Sequence, residues 1–186
     1  MLNYCLLNTT LSSRYHGPVS ETAIFRVPPG FEQEWAGARA DATEVVLNVI
    51  RAGETLTALV DSFVRQRGLP SSTALIVLEV LRGQGGPLAP SVVAARCFLS
   101  RPALSGVMDT LERRGFLRRY PDPTDRRRAL VEITPDGKHT LERLLPDLHR
   151  AEAAWTSALS NTQKAALLRG LGRLQHHLRT DPSQPR

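Results

Sequence analysis

Apolar residues recur at helical spacing along most of the middle of the chain, and they predict four helices before residue 115. The first is predicted over about 34–67, where apolar positions repeat every three or four residues until Gly68 interrupts them. A second helix is predicted over about 72–82 and a short third one over 90–98. A fourth is predicted over 101–114. The first 30 residues lack this period and predict a tail.

The fourth predicted helix has two clearly different faces. Ser100 precedes it as a helix cap, because a serine hydroxyl there can accept a free backbone N–H. Its apolar stripe has i, i+3, i+4, i+7 spacing and consists of Leu104, Val107, Met108 and Leu111. The opposite face is small or polar and can therefore approach another surface closely. Its residues are Arg101, Ala103, Ser105, Gly106, Asp109, Thr110 and Arg113.

A basic hairpin is predicted to follow these helices. Two short strands, at 116–120 and 129–134, flank a loop with the order Pro-Asp-Pro and then three arginines, Arg126, Arg127 and Arg128. Three short helices followed by a hairpin form a winged helix-turn-helix, in which one helix enters the major groove of DNA. The predicted fold class is therefore mainly helical, α+β.

Two leucine-rich helices are predicted after the hairpin. One begins at Lys138, is expected to kink at Pro146, and carries on one face Leu141, Leu144, Leu145, Leu148, Trp155 and Leu159. Ser160 is predicted to cap the last helix. That helix has a stripe of Leu167, Leu168, Leu171, Leu174 and Leu178.

The distribution of charge indicates what kind of partner the chain binds. The chain has 24 basic and 18 acidic residues among 186, a net charge of +6, and 22 of the basic residues are arginine. Nine arginines and four acids lie between Arg96 and Leu130, so this stretch alone has a charge of +5. A local basic patch of this kind indicates a polyanionic partner.

Several other classes of protein are disfavoured. No apolar run is long enough to cross a bilayer and the start of the chain lacks a secretion signal, so we expect a cytoplasmic protein without a membrane partner. Cys5 and Cys97 cannot form a zinc site or a disulfide framework. Phosphate-loop and hydrolase motifs are absent, and the adjacent His176 and His177 point to different sides of a helix. We expect no enzyme activity, cofactor or metal.

Five segments in a fixed order carry a family resemblance. They are GPLAPS at 86–91, LSRP at 99–102, LERRG at 111–115, PDPTDRR at 121–127 and ITPDG at 133–137. With this spacing the chain resembles the MarR family of bacterial transcriptional regulators over about 145 residues.

The resemblance implies a homodimeric repressor that binds a palindromic operator in double-stranded DNA and is released by a small aromatic effector. No residue identifies the effector site. The implied organisation is a tail at 1–33, a first dimerisation helix at 34–68, a DNA-binding domain at 70–134, dimerisation helices at 135–179 and a tail at 180–186. The exposed leucine stripes also favour a dimer, because one small domain cannot cover them.

The resemblance also assigns DNA contacts. The wing arginine Arg127 is expected to enter the minor groove while Asp125 orients it, and the start of the fourth helix is expected to meet the major groove. The full set of expected contacts is Ser91, Ser100, Arg101, Pro102, Ala103, Ser105, Gly106, Thr110, Asp125, Arg126 and Arg127.

Two departures from the family pattern leave other interpretations open. Gly106 stands where many members carry a polar residue, and Ala89 replaces a capping serine or threonine. One alternative is a redox-sensing regulator that uses Cys5 or Cys97. The other is a winged-helix architectural or protein-interaction module without a specific operator.

Overall fold

Seven helices and one hairpin make up the part of the chain that the structure describes. A computed structural model describes residues 24–125 and 127–180. The elements are α1 (Phe31–Glu34), α2 (Ala40–Arg65), α3 (Ser72–Gln84), α4 (Pro90–Cys97), α5 (Arg101–Arg113), β1 (Leu117–Pro121), β2 (Ala129–Ile133), α6 (Pro135–Trp155) and α7 (Asn161–Thr180). Contacts group them into two units that divide between Leu59 and Val60, inside α2.

In the first unit, the long helix α2 begins later than predicted. The prediction placed that start near Glu34, but Glu34 ends the separate helix α1, and the chain turns at Gly37 with a φ of 81° before α2 begins. The segment before α1 is also more ordered than a tail. The Asn48 side chain accepts the N–H of Phe25 at 2.7 Å and donates to its carbonyl at 2.9 Å. Residues 1–23 lie outside the described residues.

In the second unit, side-chain caps define where the short helices begin. Ser71 accepts the N–H of Ala74 at 3.1 Å at the start of α3, and Ser100 accepts that of Ala103 at 3.3 Å at the start of α5. The predicted cap at Ser100 is therefore confirmed. Asp61 accepts the N–H of Ser72 at 2.6 Å, which lowers the pKa of the Asp61 carboxyl.

The apolar stripes of α3, α4, α5 and α6 meet in one core. The predicted inward residues of α4, namely Val93, Ala94 and Cys97, are buried. Of the predicted stripe of α5, Val107 is half-buried and the other three side chains are buried. The fully buried leucines of this unit are Leu69, Leu78, Leu81, Leu104, Leu111, Leu117, Leu141, Leu144 and Leu148.

The hairpin is an antiparallel pair with one additional partner. Leu117 pairs with Ile133 and Pro121 with Ala129, so both strands are close to their predicted positions. Leu88, just before α4, exchanges two backbone hydrogen bonds with Val131 at 2.8 and 2.9 Å. The segment before α4 therefore anchors the hairpin to the helical part of the unit.

Helix α6 begins earlier than predicted. It starts at Pro135 instead of Lys138, because Thr134 caps it by accepting the N–H of Gly137 at 3.1 Å. Gly137 lies so close to β1 that an added Cβ would be 2.2 Å from the carbonyl oxygen of Phe116. The helix continues past Pro146 and ends at Trp155, so Leu159 lies outside it, contrary to the prediction.

Helix α7 has 20 residues, and none of them is buried. Its predicted cap is confirmed: Ser160 accepts the N–H of Gln163 at 3.3 Å, and the Gln163 side chain accepts that of Ser160 at 2.8 Å. Leu167, Leu168 and Leu178 are exposed by about half or more of their area. Within the described ranges, no helix is long and apolar enough to span a bilayer.

Candidate nucleic-acid interface

Helix α5 presents a face without large apolar side chains. Its buried stripe fixes the orientation of the helix, and the exposed residues near its start are Arg101, Pro102, Ala103, Ser105 and Gly106. Ser91 on α4 is exposed as well. The guanidinium of Arg101 makes no hydrogen bond or ion pair with any residue that the structure describes. This face can therefore meet a groove without first breaking internal contacts.

Two predicted contact residues use their hydroxyls inside the helix. The Thr110 hydroxyl donates to the carbonyl of Gly106 at 3.0 Å and accepts a bond from Arg113 at 3.2 Å. The hydroxyl of Ser100 accepts the backbone N–H of Ala103 and so caps the helix. Both side chains thus have a structural role, whatever else they contact.

In the wing loop, Asp125 holds the main chain. Its carboxylate accepts the N–H of Arg127 at 3.1 Å and forms an ion pair with Arg128 at 3.3 Å. The carboxylate therefore contacts the backbone of Arg127, whereas its ion pair is formed with Arg128. The Arg127 side chain is exposed. Arg126 lies outside the described residues.

A second aspartate closes the same loop. Asp122 accepts the N–H and the hydroxyl of Thr124 at 2.8 and 2.7 Å, which lowers the pKa of the Asp122 carboxyl. The N–H of Asp122 donates to the carbonyl of Arg128 at 2.9 Å. These local bonds give the loop a defined shape that displays Arg127.

Arg119 connects the wing to α5, and sequence reasoning missed this role. Its guanidinium contacts the carboxylates of Asp109 at 2.6 Å and Glu112 at 3.6 Å. The backbone N–H of Arg119 also donates to the Glu112 carboxylate at 3.1 Å. Asp109 and Glu112 are three positions apart, so both lie on one side of α5. An acidic pair there, followed by an arginine in the next strand, was the available signal. The contacts fix the wing relative to α5.

Internal ion pairs use part of the basic stretch. Arg119 and Arg128 are paired as described, and Arg118 forms an ion pair with Glu132 across the hairpin. Arg114 donates to the carbonyl of Gly68 at 3.1 Å. The charge excess remains, and among the described arginines of this stretch only the side chains of Arg101 and Arg127 form no hydrogen bond or ion pair with a described residue.

Cys97 is unsuited to redox chemistry as it stands. It is buried in the core, and burial raises the pKa of its thiol, which disfavours the reactive thiolate. Cys5 lies outside the described residues. Over residues 24–125 and 127–180, no group of three or more His, Cys, Asp or Glu side chains could hold a metal ion.

Both departures from the family pattern are visible in the structure. Ala89 provides no side-chain cap, and α4 begins with Pro90 instead. Gly106 lies within α5, and a Cβ placed on it would have no atom within 4 Å. The glycine is therefore not required by packing inside this chain.

Comparisons with known proteins agree with this geometry. The model of the MarR family matches residues 67–128, which run from the turn after α2 through the wing loop. Over these residues the chain is similar to the MarR family. The transcriptional repressor YetL of Bacillus subtilis is 25% identical over 146 residues, which cover 78% of this chain and 87% of YetL.

Solved MarR-type structures show the same fold. Sco3205 of Streptomyces coelicolor, a MarR family regulator in complex with DNA, has a TM-score of 0.70 at 23% identity and covers 78% of this chain and 91% of its own. BpsR of Bordetella bronchiseptica, whose DNA binding is regulated by 6-hydroxynicotinic acid, has a TM-score of 0.67 at 24% identity. The match covers 75% of this chain and 98% of the BpsR chain. The chain therefore has the winged helix-turn-helix fold of these proteins.

Proposed function

We propose that this protein is a MarR-type homodimeric repressor that inserts α5 into the major groove of a palindromic operator and Arg127 into the adjacent minor groove. The observation that carries the proposal is the shared exposure of two surfaces, the small polar face of α5 and the side chain of Arg127. Arg119 holds these two surfaces in a fixed relation, so one rigid unit reads both grooves.

The α5 face supports the major-groove half of the proposal. A groove about 12 Å wide admits a helix when the helix face is narrow, as the side chains of Ala103, Ser105 and Gly106 allow. Arg101 has a free guanidinium, which suits a bidentate contact to a guanine edge or a phosphate. Ser91, Ser100, Pro102 and Thr110 are proposed to line the same contact.

The wing supports the minor-groove half. Asp125 fixes the backbone at Arg127 and balances the charge of Arg128, so that Arg127 extends from the loop without an internal partner among the described residues. A narrow minor groove concentrates negative potential and attracts such an arginine. Arg126 is proposed to contribute a further phosphate contact.

The apolar surface of α7 supports a homodimer. Leucines half-exposed in a single chain are costly in water, and a second copy of the same helix offers a matching apolar stripe. In α2, Val45, Val46, Ile50 and Leu56 are similarly exposed. A symmetric dimer presents two copies of α5 and therefore fits a palindromic operator.

Ligand control is proposed from the relatives. DNA binding of BpsR is regulated by 6-hydroxynicotinic acid, an aromatic acid. YetL is described as a repressor. We propose that a small organic acid weakens operator binding by this regulator in the same sense.

Footprinting and titration on the DNA upstream of its own gene test the proposal. Arg127→Ala should weaken operator binding and reduce the slope of log K against log salt by about 1, because one phosphate or groove contact is lost. Arg65→Ala, which removes an equal charge from the end of α2, serves as the control. Equal affinity and slope for wild type and Arg127→Ala would exclude the wing from binding.

Two further readouts separate the alternatives. Light scattering should give twice the 20.5 kDa of one chain, and a mass of one chain would contradict the dimer. Specific DNA should be bound about a thousandfold more tightly than random DNA. Equal affinity for both would favour the architectural module instead.

A further inference from the structure

A cavity of about 310 Å³ opens between the exposed face of α5 and the start of α3. Pro70 and Ser71, which precede α3, form one wall. The other wall consists of residues of α5, namely Pro102, Ala103, Gly106, Val107 and Thr110. Because two separate segments of the chain enclose it, the cavity is a concave site and not simply a part of the helix surface. We call it the Gly106 notch.

The Gly106 notch is uncharged and offers few hydrogen-bonding groups. None of the seven described residues that line it has an ionisable side chain, and two of them are prolines, which lack a backbone N–H. The Thr110 hydroxyl donates to the Gly106 carbonyl at 3.0 Å and accepts from Arg113 at 3.2 Å. The Ser71 hydroxyl accepts the N–H of Ala74 at 3.1 Å. The notch therefore suits a small apolar group better than a phosphate or another anion.

The absence of a side chain at Gly106 keeps the notch open. Gly106 lies inside α5 and its φ is not positive, so its backbone conformation does not require glycine. A Cβ built on it would have no atom within 4 Å. Glycine destabilises a helix interior relative to alanine. Since neither the backbone nor the packing of the described chain explains the glycine, the open space is available to a group from a binding partner.

The chemistry of the major groove identifies the group that fits. Pro102, Ala103 and Gly106 are exposed on the face of α5 that is proposed to enter this groove. Base edges there present hydrogen-bond donors and acceptors, and thymine alone adds an apolar group, its C5 methyl. A surface with few donors cannot distinguish the polar edges of the bases, but it can accommodate a methyl group. Thymine is therefore the base that matches the notch.

We propose that the Gly106 notch recognises a thymine in the operator by accepting its C5 methyl group, with Ala103 and Gly106 as the specificity-determining contacts. This inference rests on the proposed function, because it requires α5 to lie in the major groove. Burial of one methyl group changes a binding constant by about fourfold. The notch thus selects thymine over bases without this methyl, whereas Arg101 beside it is suited to a polar base edge or a phosphate.

Replacement of thymine by deoxyuridine tests the proposal, because deoxyuridine lacks only the C5 methyl and keeps every hydrogen-bonding group. The probes are duplexes of the footprinted operator in which one thymine position is changed in both half-sites. Their affinity for the full chain is measured by equilibrium titration. One position within the α5 footprint should weaken wild-type binding about fourfold per half-site, and positions outside the footprint should change it by less than about 1.5-fold.

Two substitutions of Gly106 fill the notch to different extents. Gly106→Leu should reduce the ratio of thymine to deoxyuridine affinity from about four to about one per half-site, because the side chain occupies the place of the methyl. Gly106→Ala should give an intermediate ratio, and it keeps the ratio measurable if the larger side chain prevents binding. Gly83→Ala is the matched control, since it adds the same methyl to α3 where a Cβ also has no atom within 4 Å. It should keep the wild-type ratio, and unfolding midpoints verify that each variant is folded.

The outcomes separate this inference from the function on which it rests. It is overturned if no deoxyuridine substitution weakens wild-type binding, or if both Gly106 variants keep the wild-type ratio. Either result, obtained while the wild type still prefers the operator to random DNA, leaves the proposed function standing. Equal affinity of the wild type for operator and random DNA would contradict the proposed function, and the recognition of thymine with it.

Discussion

Helices α5 and α7 are both amphipathic, but the apolar stripe of α5 is buried and that of α7 is exposed. The apolar stripe of α5 is buried against its own core, with Leu104 and Leu111 at 1% and 0% exposure. Leu168 of α7 is 70% exposed. The comparison shows that α5 is positioned by its own chain and leaves its polar face exposed, whereas α7 leaves its apolar face exposed.

The largest expected effect is on the free energy of unfolding, which should respond differently to substitutions in α5 and in α7. Leu111→Ala should lower the free energy of unfolding by about 2–5 kcal/mol, because it leaves a cavity in a closed core. Leu168→Ala should act mainly on association, so its effect on the unfolding midpoint should depend on protein concentration. Denaturant titration at two concentrations measures both. Equal, concentration-independent losses would remove the distinction.

A second prediction concerns how the α5 face is joined to the wing. Arg119→Ala should weaken operator binding about tenfold, because the wing loses its ion pairs with Asp109 and Glu112 and no longer has a fixed angle to α5. Arg118→Ala removes the same charge but breaks a pair inside the hairpin only, so its loss should be smaller. If the two variants lose equal affinity, Arg119 contributes charge alone.

The smallest expected effect is a pH dependence of stability at the start of α3. The N–H of Ser72 lowers the pKa of Asp61, so the folded state favours the carboxylate. Its contribution is therefore present above the unfolded pKa of about 4 and is lost as the pH falls below it. The free energy of unfolding, measured from pH 7 to 3, should decrease less steeply in Asp61→Asn than in the wild type. Identical slopes would contradict this role for Asp61.

Local signals made α3, α4 and α5 predictable from the sequence. Ser100 before α5, Pro90 at the start of α4 and the spacing of Leu104, Met108 and Leu111 each act within one or two turns of the chain. Such signals depend on neighbouring residues only, so they can be recognised without knowing the fold.

Contacts between distant residues were not predictable in the same way. The bridge from Leu88 to Val131, the contact of Arg119 with Asp109, and the close approach of Gly137 to Phe116 each require the fold to bring separate segments together. The late start assigned to α6 has a related cause. The Thr134 cap was overlooked because the Pro-Asp-Gly that follows it is typical of a turn.

Part of the interface was predictable and part was not. The exposed positions on α5 followed from its stripe, because one buried face defines the opposite one. Which wing arginine pairs with Asp125 could not be predicted, since Arg127 and Arg128 are both within reach of a turning backbone. The structure pairs Arg128 and leaves Arg127 extended.

The most direct test of the central claim places a negative charge on the exposed α5 face. Ser105→Glu should weaken operator binding by about a hundredfold or more, because a carboxylate facing phosphates costs several kcal/mol. Thr162→Glu, at an exposed position in the first turn of α7, is the matched control and should leave affinity nearly unchanged. Circular dichroism should be the same for both. Wild-type affinity in a folded Ser105→Glu protein would contradict the claim that this face of α5 binds DNA.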